Sequence, residues 1–156
     1  MPTTQRRREF LRGAEARKKE NMAKGVPKGW HSVTPRLVAK DVAALVEFLR
    51  LAFYAEGTLQ TERPSQMRIG DSLVMVSGAE MRDTTTSFIY LYVENADLTY
   101  GLAMAAGAES LEEPCDTPYG DRRAMIKDPA GNTWQIATHN EEAYRDFLKQ
   151  QGLDRN

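Results

Sequence analysis

The sequence is poor in cysteine and has no long hydrophobic run. Its one cysteine among 156 residues, Cys115, can form neither an internal disulfide nor a cysteine-type zinc site. No apolar stretch approaches the roughly 18 residues that cross a bilayer, which argues against a transmembrane helix. The phosphate-binding loops of nucleotide enzymes and the GxSxG elbow of serine hydrolases are also missing, which disfavours both chemistries. We therefore expect a soluble, cytoplasmic protein with no membrane partner.

The composition is that of one globular domain preceded by a basic extension. Hydrophobic residues make up 41% of the chain and charged residues 28%, which suits a packed core. Residues 1–28 carry nine Lys and Arg against three Glu, a net charge of +6, whereas the remainder has a net charge of −7. We expect the extension to be partly helical or disordered. Its one aromatic side chain is Phe10, so nucleic-acid binding is disfavoured.

The sequence after residue 28 has the pattern of two similar halves. In each half a strand, a helix and three short strands follow one another, which predicts tandem βαβββ modules and an α+β fold. The first module, about 29–80, is expected to have strands at 33–39, 57–61, 66–69 and 72–77 and a helix starting at Asp41. The second, about 86–139, is expected to have strands at 88–93, 109–113, 122–127 and 132–138 and a helix starting at Asn95 or Asp97. Residues 140–156 are expected to form a C-terminal helix and tail.

Three stretches carry a family resemblance. They are residues 34–41 (TPRLVAKD), 119–123 (YGDRR) and 128–139 (DPAGNTWQIATH). Together they resemble the glyoxalase, bleomycin-resistance and extradiol-dioxygenase group, the vicinal oxygen chelate superfamily, over about residues 29–139. The opening at 30–35 is most similar to its PhnB-like branch. The resemblance implies two sheets that curl into a cleft, usually within a homodimer.

The resemblance also bears on metal binding. Enzymes of this superfamily hold a divalent metal through His and Glu side chains, and their ligand positions fall here at Thr34, Phe88 and Gln135. Phe88 cannot ligate a metal, while Thr34 and Gln135 offer neutral oxygens that suit hydrogen bonds better. The expectation is therefore a protein without a metal or other cofactor.

Strand alternation predicts what lines the cleft instead. If the three superfamily positions face the cleft, the residues two positions along each strand face it as well. Because the two modules are expected to be equivalent, two valines of the first module are also expected to face the cleft. The expected ligand-binding residues are Thr34, Arg36, Val74, Val76, Phe88, Tyr90, Tyr92 and Gln135. Aromatic walls favour planar or cationic guests, and a guanidinium favours a carboxylate or phosphate. The partner is thus expected to be a small, aromatic or anionic molecule.

Simpler interpretations of the same residues remain open. Phe88, Tyr90 and Tyr92 would equally fill a closed sheet, and Arg36 would equally pair with an acid of the opposite module.

Outside the predicted lining, Asp121 in the Gly-Asp-Arg corner is expected to fix a loop by ion pairing. His31 is a candidate general base, and a metal site made with His139 is disfavoured because the two lie at opposite ends of the domain. Acidic neighbours are expected to raise the pKa of Cys115.

Three functions follow as hypotheses. The first is a metal-free protein that binds a small molecule in the cleft. The second is a metal-independent lyase, isomerase or cyclase, in which Arg36 and Gln135 stabilise negative charge and Tyr90, Tyr92 or His31 moves protons. The third is a scaffold that acts through the basic extension. The catalytic candidates are His31, Arg36, Tyr90 and Tyr92.

Overall fold

The structure is a computed structural model that describes residues 4–6, 8, 25–80 and 83–153. The chain divides into two units, Met1–Thr34 and Pro35–Asn156. In the first unit residues 4–6 and 8 are helical, and Trp30 donates its backbone N–H to the carbonyl of Pro27 at 3.0 Å. Most of the predicted basic extension lies outside the described residues.

The second unit contains the two predicted modules in tandem. The first module comprises β1 (Arg36–Ala39), α1 (Val42–Phe53), β2 (Ser65–Ile69) and β3 (Ser72–Gly78). The second comprises β4 (Phe88–Tyr92), α2 (Ala96–Ala105), β5 (Glu109–Asp116), β6 (Asp121–Lys127) and β7 (Thr133–His139), and α3 (Glu141–Gln150) follows. The α+β prediction with a C-terminal helix is confirmed. Among the described residues, no helix is both long enough and apolar enough to cross a membrane.

The two modules share one sheet topology. The first sheet has the order β1-β3-β2 and the second the order β4-β7-β6-β5. In each module the first strand pairs in parallel with the last strand, and the remaining neighbours are antiparallel. This common arrangement supports the repeat that the element order predicted.

The strand predicted at 57–61 is wrong. The chain forms a single bridge between Glu56 and Arg68 and then leaves the sheet. Gly57 has a φ of +149°, and a Cβ at this position would overlap the carbonyl oxygen of Gln66. The chain crosses β2 at close range here, in a conformation that favours glycine, so it cannot continue the ladder.

The helices α1 and α2 of the two modules begin at side-chain caps. Asp41 accepts a hydrogen bond from the backbone N–H of Ala44 at 2.9 Å, and Asn95 accepts one from Leu98 at 2.9 Å. Each cap satisfies an N–H group that the first turn leaves without a partner. Of the two residues proposed to start the second helix, Asn95 is therefore the cap.

The hydrophobic core lies between the helices and one face of each sheet. Leu37, Val76 and Met67 of the first sheet and Trp134 of the second are almost fully buried. The ring of Phe53 at the end of α1 lies 4.8 Å from the indole of Trp134, centroid to centroid, and joins the modules. The opposite face of each sheet, here called the open face, is left to carry the polar and aromatic side chains.

Candidate functional site

Three aromatic side chains stand on the open face of the second sheet. Phe88, Tyr90 and Tyr92 are 66%, 37% and 62% exposed, whereas Ile89 and Leu91 between them pack against the core. This is the alternation predicted for β4. The strand is at the edge of its sheet and pairs in parallel with β7, with Tyr90 opposite Gln135.

Strand β7 alternates in the same way. Trp134 and Ile136 are buried in the core, while Gln135 is half-buried and shares a face with Tyr90. On its other side Gln135 is paired with Met125 of β6. Ala137 is fully buried although it lies on the open face, because its short methyl is covered by longer neighbours.

A buried carboxylate is the centre of the polar contacts on this face. Asp121 is 4% exposed, and its Oδ2 accepts the hydroxyl of Tyr90 at 2.6 Å and that of Tyr92 at 3.3 Å. Its Oδ1 lies 2.9 Å from Nδ1 of His139. The backbone N–H of Asp121 donates to Oγ1 of Thr117 at 2.9 Å. One carboxylate therefore joins strands β4, β6 and β7.

The protonation of this cluster follows from its contacts. Burial alone would raise the pKa of Asp121, but the hydrogen bonds from Tyr90 and His139 outweigh it and hold the pKa below its usual range. Burial and the hydrogen bond to Asp121 raise the pKa of Tyr90 far above its ordinary value. Burial and the negative charge of Asp121 also raise the pKa of Tyr92. Near neutral pH the cluster is an ionised carboxylate with two neutral phenols.

His139 connects this carboxylate to the C-terminal helix. Its Nδ1 faces Asp121, and its Nε2 lies 3.2 Å from Oε2 of Glu141. The ring also packs edge-on against Tyr144, with centroids 5.4 Å apart. Hydrogen bonds to Asp121 and then Glu141 raise the pKa of His139, because both carboxylates favour the imidazolium form.

A second cluster of polar side chains, centred on Arg123, lies on the same open face. Arg123 donates to the carboxylate of Glu112 at 2.9 and 3.0 Å and to the hydroxyl of Tyr119 at 2.7 Å. The thiol of Cys115 donates to Glu112 at 2.9 Å, and this bond raises the pKa of the thiol, as its acidic surroundings predicted. Among the described residues, Nε of Arg123 is the one buried side-chain nitrogen or oxygen without a partner.

A cavity of about 1190 Å³ lies beside the end of β4. Tyr90 and Tyr92 border it, and the tip of the β2–β3 hairpin and the ends of α1 and α2 complete its wall. Its aromatic and charged lining consists of Phe53, Tyr54, Tyr90, Tyr92, Glu56, Arg68, Asp71 and Glu94. Acidic residues thus outnumber basic ones around this cavity by three to one.

Arg36 does not join the tyrosines at this cavity. Its Nε donates to Oγ of Ser77 in the same sheet at 3.0 Å, and the residue borders a second cavity of about 570 Å³ together with Lys40 and Arg63. This contact with Ser77 does not support the alternative in which Arg36 pairs with an acid of the other module. Phe88 and Gln135 border neither of these two cavities.

The placement predicted for Val74 and Val76 is wrong. Both are buried in the core, at 4% and 0% exposure, because Val76 is paired with Leu37 on the face that packs against α1. Met75, which is paired with Arg36, lies on the open face instead. The predicted cleft residue Thr34 is half-buried and the predicted base His31 is exposed, and both belong to the first unit.

Sequence reasoning also missed the role of Asp121 and His139. Asp121 was expected to fix a loop by ion pairing; it pairs with His139, which was not predicted as its partner, and it also accepts two tyrosine hydroxyls. The sequence did contain a signal that His139 lies opposite Asp121, because the two residues are the same number of positions from Ala130, at the centre of the β6–β7 turn. Antiparallel pairing about that turn sets them opposite each other, as the structure does.

These features define a protein of two tandem α+β modules, with a three-stranded and a four-stranded sheet, and an aromatic open face beside a large cavity. The chain belongs to the Glyoxalase/Bleomycin resistance protein/Dioxygenase superfamily, whose sequence profile matches residues 29–136. It is similar to an uncharacterized protein of Mycobacterium bovis, with 27% identity over 136 residues that cover 76% of this chain and 90% of the relative.

Solved structures share the fold. TioX from Micromonospora sp. ML1 superposes with a TM-score of 0.62 at 22% identity, over 69% of this chain and 98% of its own. A lactoylglutathione lyase from Agrobacterium tumefaciens superposes with a TM-score of 0.56 at 19% identity, over 68% and 91%. At these identities the likeness establishes the fold alone.

The donor atoms do not fit the divalent metal that enzymes of this superfamily hold. Phe88 has no donor atom, and Gln135 offers a neutral amide beside Tyr90. In the described part of the chain, no three His, Cys, Asp or Glu side chains gather into a possible metal-binding group. We derive no chemistry through a metal.

Proposed function

We propose that this protein binds a small organic molecule, without a metal, against the aromatic open face of its second sheet. The observation that carries the proposal is the exposure of Phe88, Tyr90 and Tyr92 on one edge strand beside a cavity of about 1190 Å³. Aromatic side chains left in contact with water have a strong tendency to be covered by a partner. The cavity volume is of the order found for sites that take drug-sized ligands.

The protonation of the tyrosines favours binding over catalysis. A general acid or base works best when its pKa is close to the operating pH. Burial and, after it, the contacts with Asp121 raise the pKa values of both Tyr90 and Tyr92 away from neutrality. Both hydroxyls are also engaged by the carboxylate, at 2.6 and 3.3 Å, rather than being available to give a proton to a substrate.

The proposal includes a homodimer. Phe88 and Tyr92, at the two ends of the edge strand β4, are more than half exposed, and a second subunit laid against this face would reduce their contact with water.

Native mass spectrometry of the full chain tests the proposal. We expect a dimer that carries an organic adduct of a few hundred daltons from the expression host. In Tyr90→Ala the adduct should be lost, while in the control Leu51→Ala, an exposed apolar residue of α1 away from both cavities, it should be retained. A stoichiometric divalent ion on the wild-type protein, or an adduct that survives in Tyr90→Ala, would contradict the proposal.

A further inference from the structure

Tyr90 and Tyr92, which border the cavity, donate their hydroxyl hydrogens to a buried carboxylate. An ionised carboxylate can only accept hydrogen bonds, so Tyr90 and Tyr92 must both donate their O–H groups to Oδ2 of Asp121. Neither hydroxyl hydrogen is then left for a ligand, which disfavours an anionic ligand because it would need donors.

The faces of the same rings favour a cation. The rings of Tyr90 and Tyr92 are tilted by 47° with centroids 5.1 Å apart, and both residues line the cavity. An aromatic face is negative at its centre and attracts an ammonium or guanidinium group within about 6 Å. Donation of each O–H to an anion increases the electron density of the ring and so strengthens this attraction.

The charges around the cavity act in the same direction. Glu56, Asp71 and Glu94 border it, with Arg68 as the one basic residue in its lining. The carboxylate of Asp121, which accepts both tyrosine hydroxyls, adds a further negative charge that is shielded from water. A concave wall with charges of one sign concentrates ligands of the opposite sign.

We propose that the cavity beside Tyr90 and Tyr92 takes a cationic aromatic molecule, a planar ring system with a positively charged nitrogen. The inference rests on the proposed small-molecule function and names the chemical class of its ligand. It replaces the anionic alternative, because Arg36, on which that alternative depended, borders a different cavity. Asp121 is a positioning residue: it orients both hydroxyls and supplies the buried charge without reaching the ligand itself.

A proton on His139 competes with the ligand for the charge of Asp121. Below its pKa the imidazolium compensates the carboxylate, and above it the negative charge is free to attract a cation. The titratable groups around His139 come from three further elements, which contribute Tyr92, Asp121, Glu141 and Tyr144. The lowered pKa values of Asp121 and Glu141 and the raised pKa of Tyr92 keep these three groups in one charge state between pH 6 and 9. Cation affinity is therefore expected to increase with pH in that window.

A fluorescence titration with two probes tests the inference on the full chain. Berberine is a planar quaternary cation, and 8-anilinonaphthalene-1-sulfonate is an aromatic anion; both become fluorescent when they are bound in an apolar site. We expect the wild-type protein to bind berberine at least about tenfold more tightly than the anion. Asp121→Asn should weaken berberine binding about tenfold while the affinity for the anion does not fall.

Two further variants control the interpretation. Asp146→Asn removes a carboxylate on α3 that borders neither cavity, so it should leave berberine affinity within about twofold of the wild-type value. Glu94→Gln at the rim tests the same electrostatic argument without altering a buried group, should Asp121→Asn fail to fold, and we expect about a threefold loss. In His139→Gln the increase of berberine affinity between pH 6 and 9 should disappear.

The outcomes separate the two proposals. If the anion binds, and its binding is lost in Tyr90→Ala while berberine does not bind, the inference is wrong and the binding function stands. If Asp121→Asn and Asp146→Asn weaken berberine equally, the selectivity is a general effect of net charge and the inference is again wrong. If neither probe binds to the folded protein, both proposals fail.

Discussion

Replacement of Asp128 by alanine should strongly destabilise the second module. This carboxylate is 4% exposed and accepts four hydrogen bonds, each 2.9 Å long. Oδ1 accepts the backbone N–H groups of Ala130 and Asn132, which shapes the turn between β6 and β7. Oδ2 accepts Nδ2 of Asn132 and Nε1 of Trp134, which holds the turn against the core.

The size of the loss follows from the burial of the donors. Asn132 and Trp134 are each 1% exposed, so water cannot replace the missing carboxylate at their side chains. A buried donor left without a partner costs about 1–3 kcal/mol. Two such side-chain donors, together with a loosened turn, give a decrease of about 4 kcal/mol in the free energy of unfolding. That is a large share of the roughly 5–15 kcal/mol that stabilises an ordinary domain.

Urea unfolding followed by tryptophan fluorescence measures this loss. With a slope of about 2 kcal/mol per molar urea, the midpoint should fall by about 2 M. The control is Asp116→Ala, whose side chain is 84% exposed and meets Arg122 at 3.4 Å, and its midpoint should change by less than about 0.3 M. Equal midpoints for the two variants would refute the reasoning that the buried bonds of Asp128 hold the turn.

Three further predictions concern α3 and the thiol. Gly120→Ala should speed amide hydrogen exchange in α3, because the new Cβ would lie 2.6 Å from the backbone nitrogen of Tyr144 at a φ of +94°; unchanged exchange would contradict this close approach. The pKa of His139 is raised in the folded state, so the stabilisation by His139 is complete below about pH 6.5 and is lost as the pH rises through the pKa of the folded state. The urea midpoints of the wild-type protein and of His139→Gln should therefore differ at pH 5.5 and converge by pH 9. Glu112→Gln should speed alkylation of Cys115 by iodoacetamide at pH 7.5, since the carboxylate raises the pKa of the thiol, and an unchanged rate would exclude that cause.

Local sequence signals were sufficient to predict most of the fold. The helix caps, the Gly70-Asp71 turn and the turn centred on Ala130 are short-range features, and strands β2, β3, β4, β6 and β7 lie within one or two residues of their predicted bounds. The strand expected at 57–61 failed because the obstacle is a tertiary contact. Gly57 meets the carbonyl of Gln66 on a different strand, and no local pattern reports that approach.

The faces of β3 could not be predicted from the sequence. Its residues Leu73, Val74, Met75 and Val76 are all apolar, so alternation does not distinguish the core face from the open face. The register with β1 decides, since Arg36 is paired with Met75 and Leu37 with Val76. In β4 and β7 the alternating residues differ enough in polarity and size that their open faces could be assigned correctly.

The candidate site illustrates how far local reasoning reaches. Asp121 was expected to fix a loop by ion pairing. Adjacent residues of a strand point to opposite faces, so Arg122 meets Asp97 beside α2 while Asp121 points to the open face. Counting from the turn identifies His139 as its cross-strand partner. The tyrosines come from β4, which reaches the site through the parallel pairing with β7, and that register has no local determinant. A shift of β4 by one residue would present Ile89 and Leu91 to the carboxylate instead of two phenols. The proposed binding by this face therefore depends on the register between β4 and β7, which are far apart in the sequence. A shift of that register would abolish the binding even if no residue were changed.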